Sequence, residues 1–335
     1  MPKEKFIFPY DDDLTSGLYS DRYDNRDYDF EKDVCGGGSM FKPEWKIGYM
    51  LEPYKKGYIK IEHQGKSLSC VGQAYSKYAE MLNWFDIKDM NDLSARDLYS
   101  RIYLPQGGAS LSTGAKELTK KGVNLESDVP SYDQNGIALK ESDYRNVVRT
   151  QELKEKALIF KGISYYSVRP DIELMAMAIS MGHGVVFGAR GNNKGWISGD
   201  VKFLHNSWGH AIFGIGYGIK NGKKGIYFAN SWGKNWGDEG IGFMDEDYFK
   251  SGMVFPGRVI IDNPNLEDSM PMTTIKKDGE APIYVRADSK KKLIHINSWP
   301  SYVKKLNYGQ IKSFIPVEEL PKGYEIVDER DALVL

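Results

Sequence analysis

NSWGKNWGDEGIG, residues 230–242, decides how this chain is read. It follows directly on Gly225-Ile226-Tyr227-Phe228-Ala229, a short β-rich run bounded by glycine and asparagine. Three similar runs lie around it: Val185-Val186-Phe187, Ala211-Ile212-Phe213-Gly214-Ile215 and Val259-Ile260-Ile261. Well upstream the rhythm is different. Val71, Ala74, Tyr78, Leu82 and Phe85 recur at spacings of three and four, which predicts a helix with one apolar face and Cys70 at its start. Helices first and strands later is an α+β pattern.

That order sets chemistry-bearing residues beside one another. A thiol attacks an amide as its thiolate, and a helix N-terminus supplies partial positive charge that favours the anion, so Cys70 is the candidate nucleophile. Of the five histidines, His210 in Gly209-His210-Ala211-Ile212 lies on a strand-like run and is the candidate base. Its other ring nitrogen needs an acceptor, and the Asn230 amide provides one without adding charge. A tetrahedral intermediate also needs donors for its oxyanion; Gln64, six residues before Cys70, and the Cys70 N–H are the candidates.

Taken together, these residues resemble the papain-like cysteine peptidases over roughly residues 47–258. The resemblance runs through Gln64-Gly65, Ser69-Cys70, Gly107-Gly108, His210-Ala211 with Gly216-Tyr217-Gly218, and Asn230-Ser231-Trp232-Gly233 with Trp236-Gly237 and Gly240. It implies a two-lobe fold, a helical lobe carrying Cys70 and a β-barrel-like lobe carrying His210 and Asn230, with a cleft between them. It also implies that Trp232 shields the bond between Asn230 and His210, that Gly107 and Gly108 form a bare wall along which substrate backbone pairs, and that no cofactor is used. The implied activity is hydrolysis of peptide bonds in a polypeptide substrate. The sequence departs from the family pattern at Ser67, Leu68 and Val71, and the usual disulfide there is absent. Two rivals stay open: a silent papain-like component of a virus particle or surface assembly, and a transpeptidase or amidase using the same acyl-enzyme.

The remaining sequence falls into two pieces. Residues 1–45 are rich in Tyr and Asp and end near Gly36-Gly37-Gly38, which reads as an extended arm. No long helical pro-segment is read ahead of the body at 46–262, and the arm is the candidate replacement. Asn263-Pro264-Asn265 reads as a linker, and residues 273–335 as a small β-containing unit; it resembles small modules appended to phage and bacterial surface proteins, which implies docking, on a viral or surface assembly, rather than chemistry.

Composition narrows the partners. With 45 basic and 46 acidic residues there is no electrostatic case for nucleic acid, and no apolar run approaches membrane-spanning length. The N-terminus has no signal-like stretch, so a cytoplasmic location is the default. Two cysteines allow at most one disulfide, and Cys35 beside three glycines reads as loop. No Cys/His cluster suggests a metal: His205 reads as a loop histidine, His63 as exposed and structural, His183 and His295 as satisfied polar residues. Lys290-Lys291-Lys292 reads as a solvated turn.

Overall fold

The computed structural model describes residues 17–21, 28–34, 43–87 and 91–261, together with five backbone strands beyond residue 272. Cys35 and most of the N-terminal arm lie outside the described residues, as do the side chain of His295 and the turn at Lys290. The chain forms two compact units, residues 1–262 and 263–335.

In the first unit, four longer helices are α1 (Cys70–Ile87), α2 (Ala95–Ile102), α3 (Leu111–Lys121) and α4 (Ile172–Ser180). Their starts follow from side-chain chemistry. Ser94 accepts the Asp97 N–H, Ser110 accepts the Thr113 N–H, and Asp171 accepts those of Glu173 and Leu174, satisfying donors that a helix leaves open. Helix α1 departs from the expected single apolar face. Residues 70–82 are buried without interruption, while Phe85 is only half-buried. The helix packs against α2 and α3 on one side and the sheet on the other, so both faces are lined by protein.

Eleven strands lie among the described residues of this unit: β1 (Leu18–Tyr19), β2 (Tyr28–Asp29), β3 (Tyr49–Met50), β4 (Ala109–Ser110), β5 (Ser164–Val168), β6 (Val185–Gly191), β7 (Asp200–Val201), β8 (Trp208–Lys220), β9 (Lys223–Ala229), β10 (Ile241–Asp245) and β11 (Val254–Ile261). Nine of them form one mixed sheet in the order β2-β5-β11-β6-β8-β9-β10-β7, with β3 also paired to β8. All four predicted runs lie in its core strands. Antiparallel pairing sets His210 opposite Ala189 and Phe213 opposite Ala229, which brings the residue after Ala229, Asn230, alongside the His210 end of β8. Strand β8 is buried from His210 to Gly218, as expected of a strand covered on both faces.

The interlobe contact is polar at its centre. The Tyr78 hydroxyl on α1 donates to the Gly184 and Ile260 carbonyls and accepts the Ile260 N–H. Lys77, one residue earlier and equally buried, bonds Glu80 at 2.7 Å and Glu62 at 3.3 Å, so its charge is paired inside the protein.

In the second unit, β12 (Thr273–Lys277), β13 (Ile283–Ala287), β14 (Lys292–Ile296), β15 (Ser313–Val317) and β16 (Glu325–Asp328) form a separate sheet, ordered β15-β12-β13-β14-β16. Among the described residues, no helix is long and apolar enough to cross a membrane and no cluster of three potential metal ligands occurs.

Close helix packing generates a stability prediction. A Cβ at Gly114 on α3 would lie 2.5 Å from the Tyr75 ring and 2.9 Å from Val71 on α1. Gly114→Ala is expected to destabilise by about 1–3 kcal/mol, because overpacking outweighs the gain from helix propensity. A urea midpoint that is unchanged or raised would contradict this.

Candidate active site

Helix α1 begins at Cys70, with Ser69 accepting the Gln73 N–H in its first turn. The Cys70 sulfur accepts backbone N–H groups from Val71 and Ala211, so the thiol sits against β8 one residue from His210. The His210 Nε2–H donates to Asn230 Oδ1 at 2.7 Å, and the Ser231 N–H donates to the same oxygen at 2.8 Å. This fixes the tautomer. Nδ1 is the unprotonated nitrogen, and it has no hydrogen-bond partner among the described residues.

His210 lies in an aromatic box. Trp232 stacks on the imidazole with centroids 4.7 Å apart, while Trp196 and Trp208 meet it edge-on at 5.8 and 6.1 Å. Trp196 is the hub: its indole donates to the Tyr248 hydroxyl and its carbonyl accepts the Trp236 indole N–H. Trp232 is 1% exposed, so its ring covers the histidine and asparagine pair rather than offering an open surface. Gln64 is also buried. Its Oε1 accepts the Ser231 hydroxyl at 2.5 Å and its Nε2 donates to the Ser67 carbonyl at 2.8 Å.

The glycine wall differs in detail from the expectation. Gly107 and Gly108 have φ of +94° and +69°, which glycine adopts readily. The Gly108 N–H donates to the Tyr99 hydroxyl and its carbonyl accepts the Leu104 N–H, so both groups serve the helical lobe. The backbone that pairs outward belongs to Ala109, whose N–H donates to the Gly17 carbonyl at 2.7 Å. What Gly108 supplies is room: a Cβ there would lie 2.3 Å from that carbonyl.

Residues Gly17–Tyr19 of the arm therefore run through the site as β1, parallel to Ala109–Ser110. A Cβ at Gly188 or Gly209 would meet Leu18 at 2.1 or 2.7 Å, and one at Gly17 would meet the Leu68 carbonyl at 2.1 Å. The segment is thus seated between Leu68, close before the thiol, and Gly209, next to the imidazole. Two residues on, Asp21 pairs with Arg258 of β11 at 3.1 Å and accepts the Ser112 N–H and hydroxyl at the start of α3. It ties the arm to both lobes.

Burial of the thiol works against one sequence expectation. The helix N-terminus was expected to favour thiolate, yet desolvation pushes the Cys70 thiol up to about 12, against the opposing backbone N–H groups. Desolvation also lowers His210 to about 4, with the Asn230 bond acting the other way. Burial thus disfavours the charged form of both groups.

Of the other histidines, His205 lies exposed in a loop, and His63 is exposed with its Nδ1 accepting the Gly65 N–H. Trp196, Ala109, Gly188 and Leu18 went unremarked in the sequence, because each acts through a contact made far along the chain.

Residues 54–253 match the family described as papain family cysteine protease, and the chain belongs to that family. It is 24% identical over 199 residues to the viral cathepsin of Bombyx mori nuclear polyhedrosis virus, covering 58% of each chain. To cathepsin K of Gallus gallus it is 25% identical over 219 residues, covering 61% of each. It thus spans less than two thirds of the length of these relatives. Xylellain, a cysteine protease from Xylella fastidiosa, superposes with a TM-score of 0.58 at 21% identity, over 73% of this chain and 94% of that one. The proform of the ragweed pollen allergen Amb a 11 gives 0.52 at 18% identity, over 71% of each. At such identities the two structures show the fold.

The depressed His210 has a measurable linkage. The unfolded chain protonates this imidazole near 6.5 and the folded chain near 4, so between those values the unfolded state binds more protons. The stability it contributes is complete above 6.5 and is lost as pH falls towards 4. Denaturation of the full chain is expected to show stability falling across that window, and His210→Gln to flatten the fall by at most about 1.4 kcal/mol per pH unit. An identical slope in the variant would refute the assignment.

Proposed function

We propose that this chain is a cysteine-type endopeptidase in which Cys70 is the nucleophile, His210 the general base and acid, and Asn230 the orienter of the imidazole. The observation that carries this reading is the 2.7 Å bond from His210 Nε2–H to Asn230 Oδ1. It leaves the basic Nδ1 on the ring for the thiol, whose sulfur is held by the adjacent Ala211 N–H. In the reaction, Nδ1 takes the thiol proton as sulfur attacks the carbonyl carbon of a peptide. The oxyanion is held by the Cys70 N–H, at a helix start where no intrahelical acceptor is required, and by Gln64 Nε2. The imidazolium then protonates the leaving amine, giving an acyl-enzyme and a free amino terminus. A water molecule, deprotonated by the same nitrogen, releases the acid and restores the thiol.

The seated segment has a place in this reading. We read Gly17–Tyr19 as occupying the track of an extended substrate, held by Ala109 and by the Asp21–Arg258 pair, so that the chain is latent until the segment leaves. Once water re-enters, the desolvation that disfavours both charged forms is relieved. The helix start and the imidazole can then support the ion pair. The C-terminal five-stranded unit is read as a docking module outside the chemistry.

Three measurements test this. Cys70→Ala is expected to abolish hydrolysis of a polypeptide while leaving the fold intact, and turnover in that variant sinks the assignment. Leu18→Glu, which sets a carboxylate among Gly188, Gly209 and Phe255, is expected to expel the segment and raise the rate of Cys70 alkylation by at least about tenfold at pH 7. Deletion of residues 1–40 giving unchanged turnover in a folded chain would show that the arm is not inhibitory.

A further inference from the structure

Gln73 occupies the first turn of α1, 2% exposed, at a position where the rest of the turn is packed as core. Burying a carboxamide is unfavourable unless its polar atoms find partners. Its Nε2 has them, donating to the Tyr144 hydroxyl at 3.1 Å and to Ser69 Oγ at 3.4 Å. Its Oε1 has none among the described residues. A second buried amide stands in the same condition. Asn230 is 4% exposed, its Oδ1 is taken by His210 and Ser231, and its Nδ2 has no partner.

These two amides line one cavity, between α1 and the sheet, of about 10 Å³. That is roughly the space of a single water molecule. Ser231, Lys77 and Glu62 contribute to its wall, and Lys77 and Glu62 are already bonded to each other at 3.3 Å. The rest of the wall is largely apolar, from Ile61, Ala74, Ala211, Phe213 and Ala229, so an unpartnered acceptor and an unpartnered donor on residues lining one cavity of that size have each other's bridging water as the partner at hand.

We propose that Gln73 is a positioning residue for the His210–Asn230 pair, acting through one water molecule that accepts from Asn230 Nδ2–H and donates to Gln73 Oε1. The consequence concerns the direction of the Asn230 amide. Turned by 180°, it would present N–H to the imidazole, favour a proton on Nδ1 and remove the base from the thiol. The Ser231 N–H holds one end of the amide against that rotation, and the water holds the other. No chemistry passes through Gln73 itself.

The inference rests on the peptidase reading for its significance but not for its test. A high-resolution crystal structure of the full chain is expected to show one ordered water within hydrogen-bond distance of both amides; a dry cavity overturns the proposal. Long-range correlation of imidazole protons and nitrogens is expected to show His210 wholly as the Nε2–H tautomer in the wild type. Gln73→Leu is expected to give a mixture, and Gln73→Glu, which keeps an acceptor, to restore the single tautomer. A Gln73→Leu protein that is folded and keeps the wild-type tautomer also overturns it. In the Leu18→Glu background, Gln73→Leu should lower kcat by about threefold to tenfold with little change in KM, the scale of one net hydrogen bond. If the water and the tautomer are found but no peptide is cut, the positioning stands and the peptidase reading fails.

Discussion

Helix α1 is the constraint on which the rest of the molecule depends. It is buried on both sides, between α2 and α3 and the sheet, and so can take only one position and one rotation. Tyr78 sets that position by hydrogen-bonding the backbone at Gly184, just before β6, and at Ile260 on β11. Close packing with Gly72 and Gly114 removes the slack that remains: a Cβ at either would overlap its neighbours. With the helix fixed, its first residue is fixed, and Cys70 meets β8 at Ala211.

The other half of the site is positioned by register. Antiparallel pairing of β8 with β9 brings the end of β9 beside the start of β8, which is why residues 20 apart in sequence share a 2.7 Å hydrogen bond. The tryptophans then enclose it, excluding water that would compete for the bond. This enclosure has an electrostatic cost, because burial opposes the imidazolium. That cost falls on both partners: desolvation raises the thiol and lowers the imidazole.

Much of this was legible in the sequence for physical reasons. Thiolate chemistry calls for a helix start, an imidazole and a neutral acceptor, and Cys70, His210 and Asn230 are the residues that satisfy those demands together. The single apolar face expected for α1 was incomplete, since periodicity reports one buried side and cannot announce a second. Gly107 and Gly108 were marked as a wall, but whether a backbone N–H faces outward or inward depends on its partner, and Tyr99 claims the one at Gly108. Trp196 carries no local signal at all. Its role comes from five aromatic neighbours drawn from three separate stretches of chain.

By itself, the sequence determined the main helical and strand runs and the family, and it nominated Cys70, His210 and Asn230, because residue type and local spacing encode propensity and chemical capacity. Only the tertiary structure decided that the thiol and the imidazole are desolvated, that the Ala109 N–H pairs with Gly17, that Leu18 packs against Gly188 and Gly209, and that Gln73 and Asn230 share a cavity. Each of these depends on desolvation or on a contact between distant segments, and neither quantity exists until the chain has folded.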